Sequence, residues 1–288
     1  MTASSSYLLA ADQIGLSIRN EWLLKNVSFR LHRGITALIG PNGAGKTTLF
    51  RILAGIYEPS EGRLMVNLPV VSSRSRAAYV PQFPGAYPHL TPFDYLVWIG
   101  GFSGLTYDQA RDHAREILLR MDLSAVAFRP SIQLDGGQKR RVALAAAWMQ
   151  RQPIVLLDEP TAGLDPAGRL AFWRDLTLWN RELQIDGSYL ITTHLLTEVE
   201  QYCQHVIILD RGTTRFAGST DDLRRRAQPY SFWAKDPVVS HDHTIVAGLR
   251  SPQGIPILSA NPEKLWAERE PTVLDGYLSV IQNIGKEV

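Results

Sequence analysis

The chain has 288 residues, a hydrophobic fraction of 45%, a charged fraction of 20% and a formal net charge of +2. This mixture excludes disordered and collagen-like classes, and the length allows one large core with a small appendage. The near balance of charge offers no basic stripe for nucleic acid, so no nucleic-acid partner is expected, and the single cysteine, Cys203, excludes an internal disulfide framework.

The first eleven residues show no basic stretch followed by a long apolar run, so they do not read as a secretory signal. Crossing a bilayer takes about 20 consecutive apolar residues. The longest apolar runs, 95–102 and 142–149, fall well short. Any membrane role is therefore expected to be peripheral, through partner chains.

Residues 8–18 and 23–31 alternate apolar and polar loosely, as paired edge strands do. Arg33-Gly34 reads as a turn. Residues 36–39 form a short apolar strand that runs into a glycine-rich loop, and 47–54 read as a helix stopped by Gly55. The stretch 84–131 reads as a helical insert. Within it, residues 107–123 place Ala110, Ala114, Ile117, Leu118 and Met121 on one helical face. Runs 154–157, 189–192 and 206–209 are apolar throughout, as parallel strands covered on both faces are. Helices over 168–183 and 195–203 supply the crossovers, which makes the pattern α/β.

Arg224-Arg225-Arg226 followed by Gln228-Pro229 marks a boundary. The expected division is a main unit over 1–227, with its helical part at about 84–150, and a small appendage over 228–288. The appendage carries strand-like runs at 230–234 and 244–247 and a helix at 273–281. The arginine run reads as a solvated helix face, with contact to anionic lipid as the alternative.

Gly40-Pro41-Asn42-Gly43-Ala44-Gly45-Lys46-Thr47 fits the phosphate-loop pattern G-x-x-x-x-G-K-[ST], set between a strand and a helix. Glycines let backbone N–H groups converge on phosphate oxygens, and the helix N-terminus adds its positive end. Lys46 brings a full charge to the outer phosphates, and the Thr47 hydroxyl suits Mg²⁺. The strand 153–157 ends in Asp158-Glu159. There Asp158 can hold Mg²⁺ through its water shell, and Glu159 can act as general base or polarise the water that attacks the γ-phosphorus.

In this order the motifs resemble those of the ATP-binding-cassette (ABC) ATPases, over about residues 8–223. Gly40 through Thr47 and Thr48 resembles the Walker A loop, and Tyr79-Val80-Pro81-Gln82 the Q-loop. Leu134-Asp135-Gly136-Gly137-Gln138 resembles the signature, residues 156–159 Walker B, Ala162-Gly163-Leu164-Asp165 the D-loop, and Thr192-Thr193-His194 the switch histidine. The resemblance implies a P-loop NTPase fold with a mainly parallel sheet, an antiparallel N-terminal β subdomain and a helical insert. It implies ATP and Mg²⁺ as ligands. Gln82 would sense the γ-phosphate and Mg²⁺ and report to a transmembrane permease, and His194 would hold the attacking water. Asp165 would line a dimer interface, and the signature would complete the ATP site of a second cassette. Outside this frame, a histidine after an apolar strand is commonly structural.

Two positions depart from the family pattern. Asp135 stands where the signature usually has Ser. A carboxylate cannot donate to phosphate unless protonated, yet it caps a helix as well as Ser does. A weakened rather than dead composite site is the expectation. The aromatic that stacks on adenine aligns near Ile18, with Trp22 as the available ring.

The leading expectation is a transporter motor at the cytoplasmic side of a membrane. The segment 87–92 and the tail 270–278 resemble exporter-type cassettes. The alternatives are a soluble ABC ATPase acting on ribosomes or DNA, and a low-turnover nucleotide-binding regulator, which Asp135 alone would support.

Overall fold

The computed structural model describes residues 7–67, 77–82, 88–182, 188–234, 243–245, 255–260, 267–282 and 284; the side chains of 179–182 and 243–245 stand outside this description. The chain begins with strands β1 (Leu9–Ile18) and β2 (Glu21–Leu31), then β3 (Gly34–Ile39), helix α1 (Lys46–Leu53) and β4 (Glu61–Val66). β2, β1 and β4 form an antiparallel three-stranded sheet. The short β5 (Ala78–Val80) precedes three helices, α2 (Pro92–Phe102), α3 (Tyr107–Arg120) and α4 (Gly136–Met149).

Each of these helices begins where its sequence supplies a cap. Thr91 accepts the Asp94 amide ahead of α2, with Pro92 at the first helical position. Thr106 and Gln109 form a reciprocal capping box on α3. Asp135 and Gln138 do the same on α4. The amphipathic face expected on α3 is the buried one: Ala110, Ala114, Ile117 and Leu118. Residues 83–87, including the start of the expected insert and Tyr87, lie outside the described residues.

β6 (Ile154–Asp158), α5 (Pro166–Glu182), β7 (Ser188–Thr192), α6 (Leu196–Tyr202), β8 (His205–Asp210), β9 (Thr213–Ser219) and α7 (Thr220–Ala227) complete the main sheet. Its order is β5-β6-β7-β3-β8-β9, parallel except for the antiparallel last pair. The apolar runs serve two cores at once. Val155, Leu157, Ile191, Val206, Ile208, Ala37 and Ile39 face the layer that contains α2 to α6. Their neighbours Ile154, Leu156, Leu190, Ile207, Leu209 and Leu38 face α1 and the antiparallel sheet. Alternate side chains point to opposite faces of a strand, so an uninterrupted apolar run is what two covered faces require.

β10 (Ser231–Ala234), β11 (His243–Ile245), β12 (Ile255–Ser259) and β13 (Ala267–Glu268) form a separate antiparallel sheet of order β11-β12-β10-β13. It is followed by α8 (Val273–Ile281), and residues 246 and 247 of the expected strand lie outside the described residues. The carboxylate of Asp275 is fully buried. It accepts from the Thr272 amide and hydroxyl at 2.7 and 2.8 Å and takes a two-point ion pair from Arg269, whose guanidinium also lies over Trp233. Both carboxylate oxygens are thus hydrogen-bonded, which is the condition for tolerating a buried charge, while Arg269 Nε has no partner among the described residues. The arginine run falls in the last turn of α7. There Arg224 pairs with Asp221 and Glu200, and Arg225 with Asp222.

α8 packs on α6 and α7, and its Val273 and Val280 belong to the same core as Val199 and Leu223. The contact is closest at Gly276, where a Cβ would stand 2.4 Å from the Leu223 carbonyl oxygen. Gly276→Ala is therefore expected to destabilise the protein by about 1–3 kcal/mol, measured by urea unfolding. Cys203 lies in this same core, where burial, and then the Glu198 carboxylate, push its thiol up to about 12. It should resist alkylation at pH 8 in the native protein and react only on unfolding, as a thiol-labelling time course with and without urea would show.

Candidate functional site

The strand order brings four chain segments to the same, carboxyl end of the parallel sheet. The β3 terminus delivers the phosphate loop. β5 delivers Tyr79 and Gln82, β6 delivers Asp158 and Glu159, and β7 delivers Thr192 to His194. Ligands bind at this edge in open α/β sheets.

The loop's first glycine is required by a close approach. At Gly40, with φ of +152°, a Cβ would stand 1.9 Å from the Leu209 carbonyl oxygen. The loop thus lies directly against the end of β8. Ala44 is buried beneath it, while Pro41, Asn42 and Gly43 are exposed, and Gly45 takes a left-handed conformation as the residue before α1. Lys46 donates to the Gly40 and Pro41 carbonyls at 2.7 and 3.0 Å, so its ammonium is held inside the curve of the loop. Burial lowers its pKa, and the charges of Glu159 and Asp158 partly restore it. Thr48 follows Thr47 in the first turn of α1.

Asp158 is the hub. It is 6% exposed and accepts three hydroxyls: Thr192 at 2.7 Å on Oδ1, and Thr47 at 3.1 Å and Tyr79 at 3.2 Å on Oδ2. Burial, reinforced by the Asp158 charge and hydrogen bond, pushes the Tyr79 phenol up to about 12, so it remains a donor. Thr192 also accepts the Glu159 amide at 2.7 Å. Glu159 has φ of +46°, a left-handed backbone that is uncommon for a residue with a side chain. The Thr192 contact helps to hold it in this strained conformation.

The Glu159 carboxylate meets both of its expected companions. Oε2 accepts Gln82 Nε2 at 2.9 Å and stands 3.8 Å from His194 Nδ1. His194 is largely exposed, so it opens toward the space above the loop. Lys46, Thr47, Gln82, Asp158, Glu159 and His194 are therefore assembled in one place. The expected ion is Mg²⁺, and the donor set suits it: one hydroxyl and one carboxylate, all oxygen, beside a loop built for phosphate. Among the described residues no group of three or more His, Cys, Asp or Glu could hold a metal by itself.

The signature lies apart from this cluster. Asp135 Oδ1 accepts the Gln138 amide at 2.7 Å, while Gln138 Oε1 accepts the Asp135 amide at 3.1 Å. The carboxylate is thus turned onto its own helix, beside Gly136 and Gly137 at the start of α4. Arg140 of the same helix donates to the Ala162 carbonyl at 2.9 Å, tying α4 to the segment that ends at Asp165. Asp165 itself accepts the Gly168 amide at 2.8 Å, at the start of α5.

Ile18 and Trp22 are both exposed, at the turn between β1 and β2. A register shift after Leu16 pairs Trp22 with Ser17. The indole covers Gly15, with the Lys25 ammonium 5.9 Å from its ring centroid. Leu24, next in that strand but one, packs against Gly45 and so links the hairpin to the loop.

Several contributors carry no chemical signal of their own in the sequence. Tyr79, Thr192, Thr161 and Glu198 are ordinary residue types, and Arg140 is one of two adjacent arginines. Tyr79 and Thr192 do sit inside recognised motifs, which is the only hint to them.

Residues 24–162 match the family model described as ABC transporter. An ABC transporter ATP-binding protein of Bacillus subtilis, YxlF, is 32% identical over 226 residues, which is 78% of this chain and 75% of that protein. The Nod factor export ATP-binding protein I of Bradyrhizobium diazoefficiens is 34% identical, covering 75% of this chain and 72% of its own. Among solved structures, cbiO1 from Clostridium perfringens, part of the ABC transporter complex cbiONQ, superposes with a TM-score of 0.66 at 28% identity, covering 75% of this chain and 90% of that one. With the nucleotide loop, the mostly parallel sheet and these likenesses in agreement, the chain belongs to the ATP-binding proteins of the ABC transporter family, whose members are ATPases.

Proposed function

We propose that this chain is the ATP-hydrolysing motor of an exporter, working as a pair of cassettes around two ATP molecules. The observation that carries the reading is the convergence on Glu159. Its carboxylate contacts Gln82 and faces His194, while the neighbouring Asp158 is bonded to the phosphate-loop Thr47. The residue roles follow from their atoms. Lys46 exchanges the two loop carbonyls for the outer phosphate oxygens. Thr47 and Asp158, with Gln82, would hold Mg²⁺, which would supply charge neutralisation for the phosphates. Glu159 accepts a proton as water oxygen attacks the γ-phosphorus and the bond to the ADP oxygen breaks. His194 orients that water. Gly40 to Thr48 cradle the phosphates. Trp22 is the proposed adenine platform, and Asp135, Gly136, Gly137, Gln138 and Asp165 face the second cassette.

Transport and direction rest on relatives. Two similar proteins carry export or resistance in their names, for Nod factor and for linearmycin. No helix among the described residues is long and apolar enough to cross a membrane. The proposed partners are therefore separate transmembrane permease subunits, with the motor peripheral on the cytoplasmic face. A surface fit for docking lies on the helical part, where Phe128 is 72% exposed against Phe93, and Trp98 and Phe102 meet edge to face at 4.8 Å. In this reading residues 1–227 form the motor, and 228–288 are an appendage docked through α8.

The reading is tested by Mg²⁺-dependent ATP hydrolysis of the purified chain beside Glu159→Gln. A loss of about 10²- to 10⁴-fold in kcat is expected, with ATP still bound. Unchanged turnover in the variant would remove Glu159 from the chemistry.

One observation favours a slower engine. The Asp135 carboxylate already occupies the N-terminus of α4, where a phosphate of the partner site would otherwise be received. Asp135→Ser keeps the cap and removes the charge. Turnover should rise about tenfold, equivalent to 1.4 kcal/mol at the barrier. Equal or lower turnover in that variant would exclude charge at this position as a brake.

A further inference from the structure

Glu198 lies in the first turn of α6, four residues after His194, and is 5% exposed. A glutamate is seldom buried unless polar partners hold it. Here the partners are two hydroxyls from different loops. Glu198 Oε2 accepts Thr161 Oγ1 at 3.0 Å and Thr193 Oγ1 at 2.9 Å. Thr161 follows Glu159 by two positions and opens the turn that runs to Asp165. Thr193 immediately precedes His194. Its oxygen, with the hydrogen committed to Glu198, also accepts the Leu195 amide at 3.1 Å. One buried oxygen atom therefore binds the loop that carries the candidate base to the loop that carries the candidate water-orienting histidine.

Each hydroxyl has a single hydrogen to donate, and both are directed at the same acceptor. Displacing either loop leaves a buried donor without a partner, so the two loops are constrained to move together. The other carboxylate oxygen, Oε1, is buried with no hydrogen-bonding partner among the described residues, so Oε2 carries the whole tie. The tie is also continuous with the core. Glu198 is followed by Val199, fully buried between the main sheet and the α8 contact.

We infer that Glu198 is a positioning residue that sets the separation of Glu159 and His194 by holding Thr161 and Thr193 on one carboxylate oxygen. It acts through these two loops and not on the nucleotide directly. Its effect is on the 3.8 Å spacing between His194 Nδ1 and Glu159 Oε2. The inference rests on the proposed hydrolytic reading of that pair. Misplacement of reacting groups by about 1 Å costs on the order of 10²-fold in rate, so the loss should appear in kcat. ATP binding belongs to the phosphate loop and should be spared.

The test compares Glu198→Ala, which removes both acceptances, with Glu198→Gln, which keeps an accepting oxygen and replaces only the unused Oε1. Wild-type hydrolysis, measured first in the same preparation, tests the functional reading by itself. Glu198→Ala is then expected to lower kcat about 10- to 100-fold, with KM for ATP within about threefold and with Glu198→Gln close to wild type. Amide exchange supplies a readout that needs no turnover. Residues 159–165 and 192–195 should exchange faster together in Glu198→Ala and remain protected in Glu198→Gln. If Glu198→Ala is not recovered folded, Thr193→Val and Thr161→Val each remove one donor, and each should lower kcat without raising KM. Wild-type kcat in these variants, equal losses in Glu198→Ala and Glu198→Gln, or faster exchange in one loop alone would overturn the inference.

Discussion

A single buried carboxylate holds the working end of the sheet together. Asp158 ends the strand β6 and accepts hydroxyls from α1, β5 and β7. A carboxylate in this position costs desolvation unless hydrogen bonds compensate for it. Three donors discharge that cost and, in doing so, set the relative heights of the phosphate loop, the Gln82 segment and the histidine loop. The same Thr192 that bonds Asp158 also holds the Glu159 amide, so the strained backbone of Glu159 is maintained by the network that fixes its neighbour.

Around this hub the molecule alternates rigid and adjustable parts. The β-strands are locked by two cores, one on each face, and a shift of one residue in any of them would exchange the two sets of side chains. Individual polar contacts also tie the loops that carry chemistry, among them Arg140 to the Ala162 carbonyl and Glu198 to Thr161 and Thr193. Breaking the Glu198 contacts would strand buried polar groups. α8 packs on α6, the helix that follows the candidate histidine, so the described C-terminal residues are mechanically connected to the site.

The charge at Asp135 shows how one residue serves structure and chemistry with opposite consequences. As a helix cap it is fully satisfactory, with both halves of the capping box formed. In the proposed phosphate-binding role it would place negative charge where the helix dipole would otherwise favour an anion. The fold is indifferent to that choice and the proposed rate is not.

What the sequence determined by itself are features written in short windows. The phosphate loop, the apolar strand ending in Asp158-Glu159, the caps of α3 and α4, the two-sided strands and the buried stripe of α3 all arise from periodicity or from residues a few positions apart. Those local preferences act before the chain folds and survive in the folded state. Only the tertiary structure decided which hydroxyls reach Asp158, that Glu198 joins two loops, that Trp22 lies over Gly15, and that Gly276 must lack a side chain. Each of these depends on strand order, on a one-residue register shift or on helix docking. These are settled by burying both faces of the sheet at once, with partners separated by tens of residues, and no local pattern records them.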